Sequence, residues 1–331
     1  MKKSVNIIIG ILSSIFFIYM VFRKVDFSEV FNHMRHLDIF WIVCFIVLFF
    51  FLNCLRGYRW YLLAVDSEKG FKTIYSFIKI VVIGSMLNNI LPLRMGDLVR
   101  AYLVGKKNNL RKSYVFGTVI IERVFDVLTL FILLSLFLLL VKTKSVEIPH
   151  YLKHLSKVGL LLGFLGFFIL IYFNRYKDKI LDKLNKLHNI HLLKKITKWI
   201  DSLMEGFAVL NKNHHILTVV VFSIALWFFE SVSFFFIGQA FHLDLNVWVF
   251  VFVMISVCLS TLIPSGPGYI GVFEGACIAS LGIFGVDKEL ALAYAVVLHS
   301  LQIIIITIAG AIFSLKEGLN MSDIVVVKEE K

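Results

Sequence analysis

Proline occurs only four times in 331 residues, and charged residues make up 17% of the chain, against about a quarter in an ordinary soluble domain. So little charge excludes a conventional solvated surface. So little proline leaves long helical stretches intact, and the few breaks that remain carry information. The four cysteines, Cys44, Cys54, Cys258 and Cys277, lie inside apolar segments without C-x-x-C spacing. They read as small buried hydrophobes, which excludes a disulfide framework. The pairs His33/His36, His150/His154 and His188/His191 lack a third ligand at useful spacing, so neither a metal nor another cofactor is expected. The glycine-rich stretch near residue 268 has no G-K-[ST] and follows an apolar run, so it is not a Walker loop.

What is present is apolar: 59% of the residues are hydrophobic, and phenylalanine alone supplies 33. An all-α polytopic membrane protein follows, for apolar runs cover 5–22, 38–55, 73–91, 113–141, 156–173, 214–240, 247–263, 269–285 and 290–315. Each is judged against the ~20 residues a helix needs to cross ~30 Å of hydrocarbon. The first follows Lys2 and Lys3 without a small-x-small cleavage site and is expected to be an uncleaved span. The net charge of +12 falls in short clusters between runs, which points to topology and anionic headgroups rather than to nucleic acid.

Two segments are interrupted. The run 73–91 carries Lys79, Asn88 and Asn89 and ends at Pro92, and "PSGPGYIG" (264–271) splits 247–263 from 269–285. If 73–91 crossed fully, the basic loop 94–112 would lie opposite the basic stretches 56–72 and 174–213, against the positive-inside rule. A chain that enters at 73 and returns on the same side satisfies the rule, and the same reasoning makes 247–285 a second re-entrant pair, entered from outside. The expected architecture has about eight membrane helices in one membrane domain, 1–331. Its repeat half, 5–141, and inverted repeat half, 156–315, each contain a re-entrant broken-helix hairpin. Both termini and the short tail 316–331 are cytoplasmic in the cell membrane. Residues 175–210 show three-four apolar spacing opposite lysines and are expected to form a cytoplasmic amphipathic helix on the membrane surface.

Charges also fall within apolar runs. Glu122, Arg123 and Asp126 lie in the long run 113–141, where each would cost about 2.5–3.5 kcal/mol at the bilayer centre if it faced lipid. Glu122 and Asp126 share a helix face, and Arg123 reaches Asp126 at three-residue spacing. That leaves one negative charge, for which Arg94 and Arg100 on the first break, beside Asp97, are natural partners, in an ion-pair lock or around a phosphate that their forked guanidinium groups would grip. At least one of Arg56 and Arg59 in "RGYRWY" reads better as an anchor at the headgroup level beside Tyr58 and Trp60. In the second break, Gly266, Gly268 and Gly271 permit close approach of a bound group to a helix N-terminus, with Glu274 just beyond. Glu230 reads as a paired carboxylate or proton site, and His299 as a hydrogen-bond partner for a neighbouring helix.

With "PLRMGDLVRA" (92–101), "ERVFD" (122–126) and "PSGPGYIGVFE" (264–274) in order, the chain resembles the lysylphosphatidylglycerol synthase transmembrane-region (UPF0104, flippase-like) family over nearly its whole length. The resemblance implies a membrane domain that moves lipids across the bilayer, as in members that flip aminoacylated phosphatidylglycerol made by a fused synthase, while other relatives are linked to polyprenyl-linked or glycolipid pathways. Asp97 stands where many relatives have Glu, and Tyr269 where a small residue is common. No aminoacyl-transferase domain is expected after the last span. The expected function is therefore non-enzymatic translocation of a polar or anionic lipid headgroup, phosphate-bearing by the arginines. The expected site is Arg94, Asp97, Arg100, Glu122, Arg123, Asp126, Gly266, Gly268 and Glu274. A membrane-embedded transferase acting on a lipid-linked substrate, and a scaffold partner of a lipid-modifying synthase, remain open alternatives.

Overall fold

The computed structural model describes residues 19–319 apart from 66–69, 92–94, 141–153, 177–212, 262–264 and several positions among 20–24 and 155–174. Nearly all of the expected surface helix 175–210, most of the first span and Arg94 therefore lie outside the described residues. Among the described residues the structure is helical, with no strand: α1 (Phe27–Arg35), α2 (Ile39–Ala64), α3 (Phe71–Ile90), α4 (Met95–Asn108), α5 (Lys112–Leu140), α6 (Asn213–Ala240), α7 (Val247–Ser260), a 3₁₀ turn (Pro267–Tyr269), α8 (Val272–Gly282) and α9 (Lys288–Lys316). Local chemistry sets several starts. Asp38 accepts the Phe40 N–H at 2.9 Å to open α2, and Asn246 accepts the Trp248 N–H at 3.1 Å to open α7, each satisfying a backbone donor that the helix itself cannot.

Four helical stretches are long and apolar enough to cross a membrane: α2, α3, Leu217–Ala240 within α6, and α9. The sequence reading of 73–91 as half of a hairpin thus meets a helix of 20 residues that has the length to cross by itself. α5 is as long as α9 but carries Glu122, Arg123 and Asp126. α7 and α8, with 14 and 11 residues, reach only about 21 and 17 Å at 1.5 Å per residue, short of the ~30 Å core. α2 differs from expectation in the other direction. Its apolar run ends at 55, yet the helix continues to Ala64, because Arg56 and Arg59 find carboxylates inside the bundle and need not end the span.

The outside of the bundle is apolar and its inside carries charge. Val43, Val47 and Phe50 on α2, Leu217, Val221, Ile224 and Phe228 on α6, and Ile304, Ile308, Ile312 and Leu315 on α9 are exposed at three-four spacing, whereas Arg59, Arg100, Glu122, Asp126, Glu230, Glu274 and His299 are buried. An exposed greasy stripe on each of these three helices is what lipid contact requires, and it reverses the amphipathicity of a soluble bundle.

α2 packs against α6 and α3, and α3 against α9 and α4. Glycine permits the tightest approach: a Cβ on Gly96, at the start of α4, would lie 1.9 Å from the Gly84 carbonyl oxygen of α3. α3 and α4 are thus backbone-to-backbone neighbours joined by the short break at 92–94. α7 and α8 also lie side by side, joined by a turn in which Gly268, Tyr269 and Gly271 have φ of 70°, 57° and 89°. This turn packs on α3, and a Cβ on Gly268 would stand 3.7 Å from the Asn89 carbonyl oxygen. The two interruptions therefore meet.

At one end of the bundle Glu317 joins α3, α4 and α9 by accepting from Lys107 at 2.7 Å and from Lys79. Burial alone would raise its pKa, but Lys107 and Lys79 outweigh burial and hold the carboxyl below its ordinary value. A carboxyl lowered in the folded state stabilises it above the unfolded value of about 4.3, and that contribution is lost as pH falls through the folded value. Glu317→Gln is expected to lower the midpoint modestly at neutral pH and to change it little at acid pH, flattening the acid limb of a thermal-melt profile in detergent. An acid limb identical to wild type would remove this role.

Candidate functional site

Three arginines and three carboxylates form a closed alternating ring. Arg59 donates to Glu122 at 2.9 Å, Glu122 accepts from Arg100 at 2.7 Å, and Arg100 stands 3.4 Å from Asp97. Asp97 lies 3.3 Å from Arg123, Arg123 lies 3.3 Å from Asp126, and Asp126 accepts from Arg59 at 2.7 Å. The expected pairing of Arg123 with Asp126 and of Arg100 with the excess carboxylate is present, and the six charges sum to zero. No net charge is buried, and removing any one member leaves a neighbour uncompensated.

The expected anchor role does not hold for Arg59. Its side chain is 2% exposed, and its guanidinium bridges Glu122 and Asp126 while also donating to the Ser223 hydroxyl at 2.9 Å. Arg56 donates to Glu230 of α6 at 2.7 Å, so it too is tied within the bundle and Glu230 is a paired carboxylate. The sequence signal for Arg59 was a carboxylate pair one guanidinium short, but nothing local said that α2 lies beside α5. Two tryptophans complete the support. Trp227 donates to Asp126 at 2.9 Å, and the Trp60 ring lies 4.8 Å from the Arg100 guanidinium carbon while its N–H donates to Thr118. A ring face under a guanidinium adds cation–π attraction.

The ring is uneven. Contacts made by Arg59 and Glu122 are 2.7–2.9 Å long, whereas those of Arg123 and the ion contacts of Asp97 are 3.3–3.4 Å. Arg123 has a side chain 40% exposed. All six residues line one cavity of about 220 Å³. The Nε–H groups of Arg59, Arg100 and Arg123 are buried without a hydrogen-bond partner, that of Arg100 standing 3.4 Å from Asp97.

A second cavity of about 210 Å³ is lined by Asn53, Glu230, Phe273, His299 and Gln302, among others. Arg56, Ser85, Asn89 and Tyr269 line both cavities and form the wall between them. Along α2 the order is Phe49 and Asn53 on the second cavity, Arg56 on both, and Arg59 on the first. At 1.5 Å per residue, the cavities are stacked along the helix axis.

The glycine-rich turn contributes differently from expectation. Gly266 and Gly268 line neither cavity; Tyr269, between Gly268 and Ile270, lines both. The start of α8 is not open to an anion either, because the Glu274 carboxylate itself accepts the Gly271 N–H at 2.6 Å. The other Glu274 oxygen lies 2.7 Å from His299 Nδ1, which places Glu274 behind the cavity wall with His299 in front of it. That is the interhelical bond expected of His299. Asp97 and Glu274 occupy the same third position of α4 and α8. Among the described residues no cluster of three or more His, Cys, Asp and Glu side chains is placed to hold a metal.

Residues 7–310 match the lysylphosphatidylglycerol synthase TM region family. A UPF0104 membrane protein of Methanocaldococcus jannaschii is 30% identical over 226 residues, 68% of this chain and 92% of that protein. One from Methanothermobacter thermautotrophicus is 22% identical over 311 residues, covering 89% and 90% of the two chains. Glycosyltransferase AglD of Haloferax volcanii is 29% identical over 129 residues, 39% of this chain and 20% of that protein. No solved structure matches.

Proposed function

The chain belongs to the lysylphosphatidylglycerol synthase transmembrane-region family, and from that premise we propose that it moves lipids with an anionic, phosphate-bearing headgroup across the cytoplasmic membrane. The observation that carries this reading is a loosely held arginine pair on the ring cavity: Arg100 and Arg123 reach Asp97 only at 3.4 and 3.3 Å. Their guanidinium forks match a phosphate, whose oxygens accept charge-assisted hydrogen bonds shorter than these contacts. Asp97 holds Arg100 and Arg123 at the long contacts, so an incoming phosphate replaces Asp97 there while Arg59, Glu122 and Asp126 keep the frame.

The headgroup then passes Arg56, Asn89 and Tyr269 into the second cavity, and the acyl or prenyl tail stays in lipid along the apolar exterior. α3–α4 and α7–α8 are re-entrant hairpins of an inverted repeat, dipping from opposite sides, with both termini cytoplasmic. The matched third-position carboxylates and the meeting of the two turns support this arrangement. Arg94, within the first break in sequence, is a further cation proposed for the headgroup. In this reading the protein is a transporter rather than an enzyme: among the described residues Asp97, Glu122, Asp126 and Glu230 are each held by an arginine, as parts of a binding frame rather than as general bases.

The test is translocation in proteoliposomes, with NBD-labelled phosphatidylglycerol and a polyprenyl phosphate as probes and dithionite reading the outer leaflet. Faster exchange than in protein-free liposomes is expected for at least one of them. Exchange at the protein-free rate for both would overturn the reading. The match to a glycosyltransferase favours a second reading, in which a lipid-linked sugar is the cargo and a transferase is the partner. A labelled polyprenyl-phosphate sugar that moves when neither first probe does would select it.

A further inference from the structure

Of the carboxylates described inside the bundle, four rest on arginines: Asp97, Glu122, Asp126 and Glu230. Arginine keeps its proton in proteins, so the positive side of these pairs is fixed. Glu274 alone among them is paired with an imidazole, His299, a group that can bind and release a proton where arginine does not. Both side chains are buried, 5% and 6% exposed. Phe273 lies flat against the imidazole, with ring centroids 4.0 Å apart at 7°, and fixes its plane. The Glu274 carboxylate binds His299 through one oxygen and the N–H of Gly271 through the other. Gly271 has φ of 89° and closes the turn that reaches the wall between the cavities, so whatever changes the pair is transmitted to that turn.

The charges around the pair are accounted for on every packed element. α8 adds Cys277, α7 Cys258, and the 3₁₀ turn Tyr269. α2 and α6 add Arg56 and Glu230, bonded to each other across the second cavity. α3 offers the uncharged Ser85 and Asn89 at this level, its Lys79 being held by Glu317. α1 also packs on α9 and carries Glu29, His33 and Arg35. With one proton held between them, His299 and Glu274 sum to zero; without it they sum to minus one.

We propose that the His299–Glu274 pair is a proton-binding site and that an anionic headgroup passes the second cavity together with a proton held there. The inference rests on the translocation reading. The imidazole, which lines the cavity, takes a proton from it and returns it. Only an N–H bond is made and broken, and no electrons are transferred. The neutral pair admits a negative group beside it and the unprotonated pair repels one, so a singly charged headgroup and its proton cross with no net charge.

Proteoliposomes of phosphatidylethanolamine and phosphatidylglycerol with a trace of NBD-phosphatidylglycerol test the coupling. Under a gradient of two pH units the wild type is expected to hold the probe unequally between leaflets, to at most about 100-fold for one proton per lipid. His299→Gln and Glu274→Gln are expected to abolish the inequality. A wild-type distribution that ignores the gradient while exchange proceeds, or either variant retaining the inequality, would overturn the coupling. A second measurement does not depend on lipid movement. Pro267→Cys, in a background lacking the four native cysteines, is alkylated at about pH 5.5 and 7.5, with and without His299→Gln. A ratio of rates that differs between the two backgrounds keeps the proton site even where no probe lipid moves, in which case the translocation reading alone fails. Identical ratios overturn the site itself.

Discussion

Arg59→Ala is expected to lower the thermal midpoint of the purified protein by roughly 10 °C, measured by fluorescence-detected size exclusion after heating. Arg59 is 1% exposed and serves two carboxylates at 2.7 and 2.9 Å. Truncating it leaves Glu122 with Arg100 alone and Asp126 with the Trp227 N–H and the distant Arg123, both in a medium that cannot hydrate them. Breaking a buried pair in this way costs about 3–5 kcal/mol, and at about 2–4 °C per kcal/mol for a chain of this order the shift follows. Charge and packing are separated by a second variant. Arg59→Met combined with Asp126→Asn removes one charge of each sign with little change of volume and leaves the neutral chain Glu122–Arg100–Asp97–Arg123; it is expected to recover part of the loss, because replacing a whole ion pair is far cheaper than orphaning one member. A single variant as stable as wild type, or a double variant less stable than the single, would show that the ring does not hold the bundle as described.

Arg123→Ala is expected to behave in the opposite way, with stability largely kept and translocation lost. Its contacts are 3.3 Å and its side chain is 40% exposed, which places it near the surface regime where an ion pair contributes about 0–1 kcal/mol. In the proposed mechanism the same side chain is the first to bind phosphate, and a charge-assisted hydrogen bond contributes about 1.5–3 kcal/mol, or roughly 10- to 100-fold in the initial rate. Asp97→Asn tests the exchange directly. It frees Arg100 and Arg123 from a competing carboxylate, so phosphate-bearing lipid is expected to be retained more strongly through detergent purification. Equal rates for wild type and Arg123→Ala in a liposome assay that reports transport, with Asp97→Asn retaining no more lipid, would remove the loose side of the ring from the mechanism.

The helices were legible because a membrane imposes one rule on all of them: about 20 apolar residues must run without a break. The runs at 113–141, 214–240 and 290–315 correspond to α5, α6 and α9 within a few residues. The carboxylates of "ERVFD" had to face inward, because three charges toward lipid are too costly, and the pairing of Arg123 with Asp126 followed from helix geometry alone. Arg100 was legible as the nearest cation able to balance the excess charge.

Arg59, Arg56 and Tyr269 were not legible. An arginine near the end of an apolar run has two low-energy solutions, reaching out to headgroups or inward to a carboxylate, and the choice depends on which helix lies alongside. The packing of α2 against α6, with α5 also alongside, decided it, setting Arg59 between Glu122, Asp126 and Ser223 and Arg56 against Glu230. The division of the interior into two cavities, and the approach of two turns more than 170 residues apart in sequence, are likewise properties of packing. Sequence alone determined which groups could not face lipid; tertiary structure decided which partners met them, because hydrophobic burial drives a charge inward without specifying a neighbour, whereas an ion pair exists only where two backbones bring its atoms within about 4 Å.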